Sequence, residues 1–394
     1  MKQEVNNLNL NFTHWPYFWL DSENSNADAK DKWAVFLGSD FYSMLENDAE
    51  LFINKTNQCL DYIRKICSDC RLIYRIHPDE KGEHKLLDLT SFSVEKDDKI
   101  SEDFLWANKE KIKYVFSVCS ASSIAGLNMG LNSYCFYNNF GGVFKGAYKI
   151  FVDHYLSGLP SNFFIDNLGA PLLENKIKLK EDERLKESFG RVLTENKGPV
   201  WFIVTENRYL LAIRGLARMI RGIFPARPIN LIVSKHHRWS DGDLEELRNK
   251  FDKVLVFTRS FYSLKPSKLI SAFITARKIK KLSLEDGSVL VGFAHHDFIE
   301  NCFISYNKDK FKVAVLPEIA WRLHFRTKEL GFDVNKFLFN KASFFYRWFF
   351  EPFLGLNRTI FRHYGGASAV YFIRLQKELE EVYDKVYLIK NSPL

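Results

Sequence analysis

Residues 198–235 read GPVWFIVTENRYLLAIRGLARMIRGIFPARPINLIVSK. Val200–Val204 and Ile229–Val233 are short β-rich runs. The stretch between them, from about Tyr209, has helical spacing, with Arg214, Arg218 and Arg221 at i, i+4 and i+7. A strand that is apolar on both faces must be covered on both faces. Strand, helix, strand with such runs therefore implies a parallel sheet between helices. The rhythm continues downstream in Val254–Phe257, Val289–Phe293 and Phe311–Leu316. It is also present upstream in Trp33–Leu37 (WAVFL), Arg71–Ile76 (RLIYRI), Tyr114–Cys119 (YVFSVC) and Ser133–Tyr137 (SYCFY). Helical patterns over Ala49–Cys67 and Ser122–Met129 fall between these runs.

The two αβ stretches part around a charged segment in which KIKLKEDERLKES (176–188) reads as a solvated helix. The expected organisation is a Rossmann-like domain over 1–171, a linker over 172–198, a second Rossmann-like domain over 199–333 and a helical C-terminal region over 334–394. Ligands of such sheets bind outside the carboxyl ends of the strands, so chemistry is sought there.

Composition narrows the class. Of 394 residues, 46% are hydrophobic and 36 are Phe, against 20 Gly and 11 Pro, which excludes disordered, collagen-like and low-complexity chains. The 56 basic and 48 acidic side chains leave a net +8, a mild excess that suits an anionic glycan, nucleotide or lipid surface. No zinc-finger spacing, RNP-like segment or heptad zipper supports nucleic-acid binding. Six cysteines, two of them inside strand-like runs, and a polar N-terminus without an apolar core predict a cytoplasmic chain without disulfides. Cys67 and Cys70 form a lone C-x-x-C, read as two positions on an amphipathic helix over Asp61–Cys70 and not as a zinc site. The aromatic stretch Ala342–Leu356, flanked by Lys341, Arg358 and Arg362, suits either a peripheral membrane contact or a buried helix joining two domains.

His77-Pro78 follows the strand run that ends in Arg75-Ile76, so His77 falls at a strand's carboxyl end and Pro78 stiffens the exit. An imidazole N–H there suits a phosphate; a capping role in a loop is the plain alternative. Some forty residues on, Ser120-Ala121-Ser122-Ser123 opens a short helix after a strand. Such a turn caps the helix, and the helix N-terminus accepts an anion.

In order, VFLGSDFYSM, RLIYRIHPDE, KISEDFL and YVFSVCSASSIAGLNMGLNSYCFY resemble the donor-binding domain of bacterial sialyltransferase-like enzymes. These are glycosyltransferases of GT-B architecture that use CMP-activated sialic acids, other nonulosonic acids or Kdo. The resemblance covers roughly Trp33–Asn138. It implies an α/β, GT-B-like fold, with two Rossmann-like domains whose parallel sheets face a central cleft, and a helical tail. It also implies that His77, Pro78 and Arg75 with Ser120, Ser122 and Ser123 hold the cytidine monophosphate, while Glu102 matches an acidic position facing the nucleotide. The usual arrangement puts this domain in the C-terminal half; here it comes first.

The second domain then carries the acceptor and the catalytic carboxylate, which the family places in an acidic D/E-D/E-G motif. Glu285-Asp286-Gly287 spells that motif but precedes a strand, where a turn belongs. Glu318 lies just after a strand without the glycine, and His295-His296-Asp297 also follows a strand, so Glu318, Asp297 and His296 are the preferred candidates. Asp297 as a helix cap is the competing reading. Glu206, Asn207 and Arg214 are candidates for the acceptor, with a solvated basic stripe as the alternative for Arg214. Asp241-Gly242-Asp243 reads as the start of a helix, and the scheme uses no cofactor and no metal. The expected partners are a CMP-sugar donor and a glycan or glycolipid acceptor of capsule or lipopolysaccharide type. A CDP-glycerol-type polyol-phosphate transferase and a non-catalytic glycan- or membrane-binding module are the alternatives.

Overall fold

The computed structural model describes residues 11–13, 15–20, 31–40, 45, 49–78, 80–96, 100–144, 149, 152–153, 156, 158–205, 209–235, 239, 241–258, 264–293, 297–317, 345–357 and 381–389. The chain divides into two units, one over Trp15–Glu181 and one that combines Met1–His14 with Asp182–Lys390. Both are α/β, each built on one sheet whose strand pairs are all parallel. The strands in chain order are β1 Asn11–Thr13, β2 Trp33–Leu37, β3 Arg71–Arg75, β4 Phe92–Glu95, β5 Ile112–Ser117 and β6 Ser133–Cys135. They continue with β7 Val200–Val204, β8 Ile229–Lys235, β9 Lys253–Thr258, β10 Val289–Gly292, β11 Phe311–Pro317 and β12 Lys385–Ile389. The helices used below are α1 Ala49–Ile66, α2 Ser101–Ala107, α3 Ala121–Asn128, α4 Glu183–Glu195, α5 Leu210–Ile223, α6 Asp241–Lys250, α7 Pro266–Lys280 and α8 Phe298–Tyr306.

In the unit Trp15–Glu181 the sheet order is β4-β3-β2-β5-β6. The first strand is central, the next two add on one side and the last two on the other, which is the doubly wound arrangement. All five residues of β2 are buried, as a strand covered on both faces requires. Ala34, Phe36, Leu72, Tyr74 and Phe116 join one core with Phe52, Cys59, Leu60 and Ile63 of α1. The strand ends are level: Leu37 pairs with Arg75 on one side and with Ser117 on the other. Consequently the loops after β2, β3 and β5 leave the same edge of the sheet, and the direction of winding reverses between β2 and β5.

The second unit has the order β1-β12-β11-β10-β7-β8-β9, with β7 interior between β10 and β8 and the reversal between β7 and β10. Trp201, Ile203, Leu290 and Ala314 form its core with Ala272, Ala276 and Ile279 of α7 and Phe298, Cys302 and Phe303 of α8.

Three expectations change. Residues 1–171 are not one unit, because β1 pairs with β12 at the edge of the second sheet. The C-terminal region is not wholly helical: Lys385–Ile389 is a strand inserted between β1 and β11, in keeping with its β-branched and aromatic residues. The segment 172–198 is not a solvated linker. Its helix, α4, starts only at Glu183 and buries Leu185, Phe189, Val192 and Leu193 in the second unit. Phe189 stacks on Tyr387 of β12 at 5.1 Å, and Ser188 Oγ lies 2.7 Å from the Tyr387 hydroxyl. Dense charge on the outer face masked an apolar stripe at i, i+4, i+7 and i+8.

The end of α4 is tied to β7 by one side chain. The Arg227 guanidinium donates to the carbonyl of Leu193 (2.6 Å), twice to that of Gly198 (2.7 and 2.8 Å), and to that of Asn196. Among the described residues, no helix is long and apolar enough to cross a membrane.

At Gly198 the backbone of the 286–288 turn presses on the strand entry. A Cβ there would lie 2.5 Å from the Gly287 carbonyl carbon and the Ser288 nitrogen, and closer still to the Asp286 carbonyl oxygen. Gly198→Ala is expected to lower stability by about 1–3 kcal/mol, since only backbone can yield. Urea unfolding checks this, with Gly190→Ala, a position open to solvent space, as the control.

Candidate functional site

The site candidates of the unit Trp15–Glu181 sit where its three central strands end. Beyond β3 the chain runs through half-buried His77 and exposed Pro78 to Glu80, whose side chain is fully buried. One Glu80 oxygen accepts from the His77 N–H (3.2 Å) and the Tyr74 hydroxyl (3.4 Å). The other accepts from the His84 N–H (2.6 Å) and faces His84 Nδ1 at 2.8 Å. A carboxylate only accepts, so Nδ1 of His84 carries a proton. Burial, and then Glu80, raise the Tyr74 phenol far above the ordinary tyrosine range, which keeps it a donor. The same group dictates the end of β2: a Cβ on Gly38 would lie 2.6 Å from the Tyr74 hydroxyl and 2.9 Å from Glu80 Oε2. Sequence reading stopped at His77-Pro78; the buried Glu three residues after the His was the missed signal.

The Ser-rich turn follows β5, on the other side of the reversal. Ser120 caps α3, accepting from the Ser122 N–H at 3.2 Å. Ser123 is buried and belongs to the interior: its hydroxyl donates to the Ser120 carbonyl (2.7 Å) and accepts from Ser117 (2.9 Å). Its own carbonyl accepts from the Ser133 hydroxyl at 2.6 Å. Ser122 is half-buried, and its hydroxyl donates to Glu102 Oε1 at 3.0 Å. Thus one serine caps, one bonds inward, and one links α3 to the first turn of α2. No acidic residue occupies the first turn of α3, so its dipole meets no opposing charge from its own helix.

Arg75 is buried at the end of β3. Its Nε donates to Ser101 Oγ (3.4 Å), and its guanidinium carbon lies 4.3 Å from the Phe104 ring centroid. Hence the turn at Ser101-Glu102 holds Arg75 through its serine and Ser122 through its glutamate. Of the residues expected in the donor site, Glu102, Ser120, Ser122 and Ser123 form one hydrogen-bonded chain, Arg75 is held by Ser101, the residue before Glu102, and His77 is fixed separately by Glu80. Among the described residues, no three or more His, Cys, Asp or Glu converge as a metal site.

No match to this chain was found. That holds for models of protein families, for curated proteins and for solved structures.

In the second unit, Asp297 follows β10 and caps α8. Its Oδ1 accepts from the N–H groups of Ile299 (2.9 Å) and Glu300 (3.3 Å), and Oδ2 accepts from Ser234 Oγ at 3.2 Å. It is 2% exposed. This is the geometry of the cap reading: both oxygens serve the fold. His296, Glu318, Glu206 and Asn207 lie outside the described residues. Arg214 donates to Glu246 of α6 at 2.9 Å, and Arg221 to the Lys250 carbonyl at 2.9 Å, so this basic stripe bridges α5 to α6. Glu285-Asp286-Gly287 is a turn before β10, at the amino end of the strand. Gly287 has φ +69°, Glu285 accepts from Trp201 Nε1 and Asp286 pairs with Lys310 at 2.8 Å. Asp241 opens α6 and pairs with Lys235 at 2.8 Å.

The C-x-x-C lies beyond α1, which ends at Ile66 and not at Cys70; a turn returns the Cys70 N–H to the Cys67 carbonyl at 2.9 Å. Burial, and then Asp69, push the Cys70 thiol up to about 11 from 9.0. A shift of that size lowers the thiolate fraction at neutral pH about 100-fold, partly offset by the greater nucleophilicity of a more basic thiolate, so iodoacetamide labelling of Cys70 is expected to be about tenfold slower than that of an unperturbed thiol. Peptide-level mass spectrometry checks it; labelling at the unperturbed rate contradicts it.

Glu80→Gln places an amide donor among donors. It is expected to cost about 1–3 kcal/mol and to speed amide exchange at His77 and His84. Hydrogen-exchange mass spectrometry over 71–87 reads the second effect, and unchanged exchange there would show that Glu80 does not hold the loop.

Proposed function

We propose that the chain is a metal-independent glycosyltransferase of GT-B type that moves a CMP-activated acidic sugar, a sialic or other nonulosonic acid or Kdo, onto a bacterial surface glycan or its glycolipid precursor. One observation carries this reading: a His-Pro strand exit and a serine-capped helix stand at the level ends of β3 and β5, astride the reversal of winding in one parallel sheet. Doubly wound sheets bind ligands at that point. The positive end of the α3 dipole and the imidazole of His77 suit the phosphate of CMP, which leaves with negative charge and needs donors rather than a base.

In this proposal the roles divide as follows. Ser120 and Ser123 shape the turn, while Ser122 and Glu102 present polar groups beside it. Arg75 and Pro78 fix the neighbouring strand exit. Deprotonating the acceptor hydroxyl falls to Glu318, with Asp297 and His296 as the next candidates, and Glu206, Asn207 and Arg214 are assigned to the acceptor. The cap geometry of Asp297 and the Arg214–Glu246 bond shift the weight toward Glu318 and toward Glu206 and Asn207.

Calorimetry with CMP, CDP and UDP tests the donor assignment. CMP is expected to bind preferentially, and His77→Ala to weaken it by about 1–3 kcal/mol, the scale of a charge-assisted hydrogen bond. Preference for CDP would favour a polyol-phosphate transferase, and no binding of any of the three would leave a non-catalytic module. With a CMP-sugar donor in hand, Glu318→Gln is expected to abolish turnover while CMP affinity stays within about twofold, because a base acts on the acceptor and not on the nucleotide.

A further inference from the structure

Helix α7 carries apolar side chains on both its inner and its outer face, the outer ones among basic residues. Its inner face is narrow and made of Ala272, Ala276 and Ile279, which enter the core under the sheet. Its outer face carries Ile270 (59% exposed) and Ile274 (47% exposed), and on the same stripe, at i+7, i+8 and i+11 from Ile270, Arg277, Lys278 and Lys281. Exposed Leu264 and Leu282 stand at its two ends. Across 264–282 (LKPSKLISAFITARKIKKL) there are six basic residues and no acidic one. All six, Lys265, Lys268, Arg277, Lys278, Lys280 and Lys281, are exposed. A stretch of 19 residues thus holds a net +6 of the chain's +8.

Lys280 also sits 5.6 Å over the ring of Tyr306, whose hydroxyl donates to the Leu354 carbonyl at 3.0 Å. That carbonyl adjoins Phe353, 75% exposed, with Phe349 (59%) one turn earlier. A second pair of exposed apolar side chains therefore belongs to the segment that packs beside the basic end of α7.

We infer that α7 docks this protein on an anionic lipid surface, lying in the interface with Ile270 and Ile274 in the acyl boundary and its basic side chains among the headgroups. The combination selects this occupant. Phosphates alone, as in a nucleic acid, reward the charge but not the exposed isoleucines, and the one ring on α7, half-buried Phe273, already lies under the Arg277 guanidinium at 4.6 Å. A second copy of the same face would bring six positive charges against six. An anionic bilayer rewards both features at once, apolar area by burial and each basic side chain by attraction to the surface. The inference stands on α7 alone and does not depend on the donor assignment.

Sedimentation with vesicles of phosphatidylglycerol and of phosphatidylcholine tests it on the full chain. Binding to phosphatidylglycerol, weakening as salt is raised, and little binding to phosphatidylcholine are expected. Replacing Arg277, Lys278 and Lys281 together by Gln is expected to lower the partition coefficient roughly 100-fold at low salt. Ile270→Ser with Ile274→Ser is expected to lower it by at least about tenfold, with charge and fold unchanged. Circular dichroism confirms that each variant is folded, and CMP calorimetry on the same samples reports separately on the donor site. Equal binding to the two lipids, wild-type partitioning by either folded variant, or binding of a single-stranded homopolymer RNA with none to phosphatidylglycerol would each overturn the inference.

Discussion

A parallel strand cannot be reached by a tight turn; the chain must first travel back along the sheet, and a packed crossover is how it does so. This constraint governs both units. Because every crossover starts at the carboxyl end of one strand and finishes at the amino end of the next, all carboxyl ends gather at one edge. The fully buried β2 and β7 are interior strands of their sheets, and the loops beside them diverge where the winding reverses. Backbone hydrogen bonding thus creates the place for chemistry before any functional side chain is chosen.

What fills that place in the unit Trp15–Glu181 is a set of polar groups that mainly satisfy one another. Glu80 gathers two backbone N–H groups, a phenol and an imidazole, and requires glycine at the end of β2. Ser117, Ser123 and Ser133 tie β5, α3 and β6 together through hydroxyls. Buried polar groups demand partners, and here they find them close to the strand ends, so the exits at His77 and Ser120 have defined directions. A rigid exit is what a binding group needs if it is to present an N–H to a ligand rather than to water.

Two of the elements that sequence reading misjudged share a cause. β1, the edge strand, and β12 beside it have three and five residues, lie far apart in the chain, and become strands only by pairing with each other and with β11. β4, missed as a strand altogether, is likewise an edge, with a half-exposed pattern that weakens the alternation signal. Arg214 shows the same limit for side chains. Its spacing marks a basic stripe, but only the position of α6 reveals that Glu246 waits opposite. Asp297, in contrast, was readable as a cap from its place before an apolar helix, and the structure adds its bond to Ser234 from a different strand.

The sequence by itself determined the class of fold, the positions of the central strands and the location of His77 and the serine turn at strand ends. Those features are written in local periodicity and in the short-range chemistry of turns and caps, which need no distant partner. The tertiary structure alone decided the edges of the sheets, the assignment of α4 and β1 to the second unit, the role of Glu80, and which of three serines faces inward. Each of those depends on a contact between residues remote in the chain, where burial and hydrogen-bond partners are set by packing and leave no period in the sequence.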